Sequence, residues 1–237
     1  MPVTHTIEVT EYTFDELSEG AKEDAIHNLE IQGTVLGEDW DDCLLDGFRQ
    51  ALIAFGFKSE YNGEPKILYS ANSCQGDGLS FFGEMVFNQE WEADLEKNFS
   101  GEMLDKLKSF GFCLQQAQEA GAKHHSESPV TLKATISHIY GMYVHSNTME
   151  FDVFFIDEYE EELCAEVAFT DEEVVFDSVK NTLRGLADYF YKLVVDAKED
   201  ERKPENVSSL LGEVHEPITF FENGDIFSMK HQSIKWS

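Results

Sequence analysis

Between Phe151 and Asp177 the chain carries Asp152, Asp157, Glu158, Glu160, Glu161, Glu162, Glu166, Asp171, Glu172, Glu173 and Asp177, without one Lys or Arg among them. Carboxylates held on folded backbone at this density do one kind of chemistry well: they imitate a line of phosphates. Unit charges about 7 Å apart reproduce the separation of phosphates along a DNA strand, whose axial rise is roughly 3.4 Å per nucleotide. Such an array can occupy a protein groove built for nucleic acid, with association steered by charge and weakened by salt. The plain alternative is a solvated acidic surface that keeps the protein soluble. The residues best placed for the occupying role are Asp157, Glu158, Glu160, Glu161, Glu162, Asp171, Glu172 and Glu173. In a second acidic group, Glu38-Asp39-Trp40-Asp41-Asp42 with Asp46, the positive end of a helix dipole accounts for Asp39 and Asp41, and the alternative adds these carboxylates to the same negative face with Trp40 as an aromatic anchor.

The charge extends along the whole chain. Its 237 residues hold 47 Asp and Glu against 17 Lys and Arg, a formal net charge of −30. Direct binding to nucleic acid needs cations facing phosphates, so it is excluded as a function class, and an anionic membrane surface repels the chain as well. Acidic chains poor in aromatics stay disordered, but this one has 19 Phe, 8 Tyr and 3 Trp and is expected to fold. There is no apolar run of transmembrane length and no basic-then-apolar leader, which predicts a cytoplasmic protein. The four cysteines, Cys43, Cys74, Cys113 and Cys164, are widely spaced and read as reduced thiols.

A second constellation suits an enzyme. Ser73-Cys74-Gln75-Gly76-Asp77-Gly78 is a Gly-rich loop in which positive φ at the glycines would aim Asp77 and backbone amides at a ligand. A Cys74 nucleophile would need a base, and His138 or His145 could be carried to it by the sheet. A small hydrolase or nucleotide-modifying enzyme is the corresponding alternative function, and a turn between two strands is the structural one. No Gly-Lys-Ser/Thr follows the loop, and G-x-S-x-G, H-E-x-x-H and the calcium-loop pattern are all absent. No metal and no cofactor are therefore expected, and an enzyme is not the leading reading.

The elements that must position these residues follow from periodicity. Alternation over 4–12 reads as a strand, and Ala21, Ala25, Ile26 and Leu29 mark a helix capped by Asp15 or Ser18 and ended by Gly33. Leu44, Leu45, Phe48, Leu52 and Phe55 mark a second helix closed by Gly56. Strands are predicted at 66–70 and 79–87, then a helix over 102–120 interrupted at Gly111. Three strands follow at 130–140, 143–156 and 163–169. A capping box at 170–173 opens a long helix to about Ala197, followed by a charged, Pro-containing break over 198–206. Asn223-Gly224 predicts a tight type I′ hairpin turn. The pattern is α+β: a central antiparallel sheet with helices packed mainly on one face. One domain spanning 1–237 is preferred, with a subdivision near residue 129 left open.

Three segments together resemble a family of uncharacterised proteins encoded by phages and prophages. They are Tyr12-Thr13-Phe14-Asp15-Glu16-Leu17-Ser18-Glu19-Gly20-Ala21-Lys22, Ser73-Cys74-Gln75-Gly76-Asp77-Gly78-Leu79-Ser80-Phe81-Phe82-Gly83 and Tyr143-Val144-His145-Ser146-Asn147-Thr148-Met149. The resemblance implies a setting, a phage protein at work inside a bacterial cell, and carries over no catalytic residue. Joined to the charge, it leads to an expected function. The protein is read as an inhibitor that mimics nucleic acid and blocks a basic, nucleic-acid-binding host protein by stoichiometric occupancy. A restriction, CRISPR or other defence effector, a recombination nuclease and RNA polymerase are the candidate targets. A homodimer remains open if the acidic faces point apart.

Overall fold

The computed structural model describes residues 9–32, 36, 40–58, 63–71, 77–124, 129–138, 143–157, 159 and 172–227. The chain divides into two compact units, Asp42–Val195 and a smaller one made of Met1–Asp41 with Asp196–Ser237. Residue 129, where the sequence left a subdivision open, lies inside the larger unit.

The larger unit begins within α2 (Trp40–Ala54), the second helix of the chain after α1 (Glu19–Gln32). Its sheet is built from β1 (Phe57–Lys58), β2 (Lys66–Ser70), β3 (Gly78–Val86), β4 (Thr131–His138) and β5 (Met149–Ile156), all paired antiparallel. The strand order is β1-β3-β4-β5, with β2 also on β3, so β5 is an edge strand among the described residues. Helices α3 (Trp91–Asn98) and α4 (Gly101–His124) enter between β3 and β4, and α5 (Glu172–Glu201) follows β5. Its residues from Asp196 onward belong to the smaller unit.

Alternation puts Leu79, Phe81 and Met85, then Leu132, Ala134 and Ile136, then Val153 and Phe155 on one sheet face, and all are buried. They share a core with Phe48, Leu52 and Phe55 of the α2 region, Trp91 and Leu95 of α3, Leu107 and Leu114 of α4, and Leu183, Leu186 and Phe190 of α5. The fold is α+β, as the pattern indicated. No described helix is long and apolar enough to cross a membrane.

Gln118 ties α4 to the sheet. It is 6% exposed; its amide nitrogen donates to the Val130 carbonyl at 2.6 Å, and its oxygen accepts the Leu132 N–H at 2.6 Å. Gln118→Leu keeps the volume but leaves two backbone groups buried without partners. Each such group costs about 1–3 kcal/mol, so urea unfolding should show a loss of roughly 2–5 kcal/mol.

Several expectations change. Gly111 does not interrupt α4; the helix passes through it, and a Cβ there would lie 2.3 Å from the Trp91 ring, so the glycine is a seat for tryptophan. α3 was not foreseen, because eight residues with only Trp91 and Leu95 buried make little periodicity. The segment before β5 contains a 3-10 turn at Ser146–Thr148, not continuous strand. The charged break is also shorter, since α5 reaches Glu201 and α6 (Pro204–Glu213) starts with proline at its first turn, where no N–H is missed. The strand expected at 163–169, the capping box at 170–171 and Gly33 lie outside the described residues.

In the smaller unit Ser18 caps α1, its hydroxyl accepting the Ala21 N–H at 3.3 Å, while Asp15 sits in a 3-10 turn, Phe14–Glu16. Phe14, Leu17, Ala21, Ala25, Leu29, Val207 and Phe220 form its core. Tyr12 and Phe220 exchange backbone hydrogen bonds of 2.9 Å, the one described trace of pairing in the expected first strand. The hairpin of β6 (Thr219–Phe220) and β7 (Ile226–Phe227) is not the two-residue type I′ form. Phe221 N–H donates to Asp225 and Gly224 N–H to Phe221, closing a three-residue loop with Gly224 at φ 86°. That is the type I turn plus left-handed glycine of longer hairpins.

Candidate functional site

The acidic segment is framed at both ends. β5 delivers Asp157, whose carboxylate accepts the Tyr159 N–H at 2.8 Å, and Tyr159 itself is 76% exposed. α5 begins at Glu172 and presents Glu173 to solvent in its first turn, near the positive helix end that favours anions. Glu158, Glu160, Glu161, Glu162 and Asp171 lie outside the described residues.

The structure joins Glu150 and Glu84, which lie outside the run from Phe151 to Asp177, to Asp152, which belongs to it. Glu150 and Asp152 are both exposed on the outer face of β5, two strand residues apart and hence about 7 Å from each other. Neither has an ion pair among the described residues. Asp152 stands opposite Thr135, which stands opposite Glu84, so the row continues across the sheet. Only Glu84 is neutralised there, by the Lys133 ammonium. Register produces this row, and neither strand alone shows it. In the second acidic group, Asp42 is exposed and Asp46 binds Arg49 at 3.2 Å, while Glu38 and Asp39 lie outside the described residues.

Part of the positive charge is paired within the chain. Among the described residues, Lys22, Arg49, Lys97, Lys108, Lys133, Lys180, Arg202 and Lys203 each hold a carboxylate of the chain itself, five of them one three residues away on the same stretch of backbone. Hydrogen bonds from Lys108 to Glu92 and Glu96 hold its ammonium well above the usual lysine range. Bonds from Lys97 and Asn88 hold Asp94 below the ordinary carboxylate range. These pairs are exposed and add little stability. Their consequence is electrostatic: they leave the unpaired carboxylates to set the field.

The Gly-rich loop is described only at its end, since residues 72–76, Cys74 included, lie outside the described set. Asp77 accepts the Ser70 hydroxyl at 2.7 Å, closing the β2–β3 connection. Gly78 is not a positive-φ residue; it is the first residue of β3, and a Cβ on it would lie 2.4 Å from the His145 Cα. The glycine is required by the close passage of the His145 backbone, so the sheet does bring that histidine to the loop's end. His145 Nδ1 is buried and has no hydrogen-bond partner among the described residues. His138 is tied elsewhere, with Nε2 3.0 Å from the Tyr143 carbonyl, a contact that places its proton on that nitrogen. Among the described residues no three His, Cys, Asp or Glu side chains converge as metal ligands.

Residues 40–202 match the family model described as "Domain of unknown function (DUF8835)", and the chain belongs to that family. The matched span covers α2 through α5 and so contains both constellations. No curated protein and no solved structure matches the chain.

Proposed function

We propose that the protein is a phage-encoded acidic inhibitor that mimics nucleic acid and occupies the basic surface of a host DNA- or RNA-binding protein, one molecule to one. The proposed targets are a restriction, CRISPR or other defence effector, a recombination nuclease, or RNA polymerase, met in the bacterial cytoplasm. The observation that carries the reading is the pair Glu150 and Asp152, exposed on the outer face of β5 at about phosphate spacing and free of ion pairs among the described residues. That strand leads directly into Asp157 and the segment holding Glu158, Glu160, Glu161 and Glu162; Asp171, Glu172 and Glu173 stand on its far side.

Replacing Glu160, Glu161 and Glu162 together by Lys tests it. Partner capture from bacterial lysate at low salt, eluted along a salt gradient, supplies the target, and titration of that purified target supplies the affinity. The triple variant should bind roughly 100-fold more weakly, about 1 kcal/mol for each reversed charge, with a shallower salt dependence. Reversal of Glu205, Glu213 and Glu222 in the smaller unit serves as the control. Equal weakening by both triples would show an even coating of charge and no specific face.

The His145–Gly78 passage favours a second reading, a small hydrolase or nucleotide-modifying enzyme using the Cys74–Gly78 loop. Stoichiometry separates the two. Inhibition that saturates at one protein per target supports occupancy. Action at far lower ratios, abolished by Asp77→Ala or His145→Ala, supports catalysis.

A further inference from the structure

Along the junction of α4 and α5 runs an open groove of about 640 Å³. Ser109, Phe110 and Cys113 form one wall, and Val174, Ser178 and Asn181 stand on the other. Small side chains on facing turns leave the room a third helix needs, since helix axes pack 8–10 Å apart. Val174 is 68% exposed, a large apolar side chain at the groove's edge.

Charge decides what would lie there. Asp177 lines the groove, Glu173 is exposed one turn before it, and Glu102 and Asp105 are exposed on the opening turns of α4. Two ammonium groups stand nearby, and both are engaged: Lys180 lies 3.5 Å from Asp177, and Lys106 sits over the Phe110 ring at 5.2 Å. Asp177, with Glu173 and Asp105 each one turn from a lining residue, outnumbers the two occupied cations and leaves the rim negative around a partly apolar floor.

We propose that this groove receives an amphipathic, basic helix of the partner protein. Apolar anchors at helical spacing would seat on Phe110, Cys113 and Val174, with Lys or Arg beside them facing Glu173, Asp177 and Asp105. The inference rests on the occupancy reading, which supplies a basic partner, and adds a contact that phosphate mimicry alone lacks.

Cys113 is the reporter, because it is an exposed thiol on the wall, and the exposed Cys43 of α2 is the internal reference. Alkylation of each cysteine in the full, unaltered chain is followed by mass spectrometry with two probes. One is a helical peptide with Leu at i, i+3, i+4 and i+7 and Lys elsewhere; the other is oligolysine of equal charge. At about ten times its dissociation constant the amphipathic peptide should slow Cys113 alkylation about tenfold and leave Cys43 unchanged. Oligolysine should bind without that protection. Asn181→Trp, which fills the groove, should weaken the amphipathic peptide about tenfold, a loss of about 1.4 kcal/mol, and spare oligolysine. A bound peptide that leaves Cys113 reactive overturns the groove and leaves the occupancy reading standing. Equal protection by oligolysine overturns the apolar anchors. Binding of neither probe at low salt overturns both proposals.

Discussion

Gly56→Ala is expected to unfold the larger unit under conditions in which the parent chain is stable. Gly56 follows α2 at φ +99°, and its N–H donates to Ile53 to close the helix. Its carbonyl accepts the Val86 N–H, which joins the helix end to β3. A Cβ there would lie 2.0 Å from the Val86 carbonyl oxygen, 2.9 Å from its carbon and 3.1 Å from Asn88 N. All three are backbone atoms flanking a paired strand, so no rotamer change relieves the overlap. Positive φ in a residue with a side chain costs on the order of 1–3 kcal/mol, and the steric term adds to it. A total of at least about 4 kcal/mol is a large share of the roughly 5–15 kcal/mol that holds a domain together. Urea unfolding followed by circular dichroism measures it. Gly20→Ala, in α1 with nothing within 4 Å of the added Cβ, is the contrasting case and should be neutral or slightly stabilising.

Phe48→Ala should cost about 3–5 kcal/mol, the range for emptying a buried aromatic site. Phe48 is fully buried and stacks on Phe190 of α5 with centroids 4.1 Å apart. It also meets Phe81 of β3 edge-on at 5.5 Å, and Phe81 meets Phe57 of β1 at 5.2 Å. One side chain therefore links two helices to the sheet, and its removal leaves a cavity that no single neighbour can fill. Phe48→Leu, which retains most of the volume, should cost less than half as much. Denaturant midpoints at unchanged slope would place the loss in folded-state packing; a changed slope would indicate an altered denatured ensemble or a folding intermediate.

Periodic segments were the legible part of the sequence. α1 and α2 announced themselves by apolar spacing and by glycine or serine at their ends, because those signals are local. The glycines that were misread were answering to distant residues. Gly111 sits beneath Trp91 and Gly78 beneath the His145 backbone, and in each the missing side chain makes room for another element. A helix glycine looks the same whether it breaks the helix or seats a ring, so only the tertiary neighbour decides. The site was half legible for the same reason. The run from Asp157 to Glu173 is visible as letters, whereas the row through Glu84 and Asp152 exists only once β3, β4 and β5 are in register.

The position of Glu150 and Asp152 has one more consequence. β5 is the last strand of its sheet among the described residues, and an outermost strand offers its amides and carbonyls to any other strand that comes near. Two anions side by side on its exposed face repel an identical neighbour before those groups can zip together. The charges proposed to meet a foreign surface thus also deter the protein from polymerising, and a version with neutral residues there would forfeit colloidal safety along with the proposed contact.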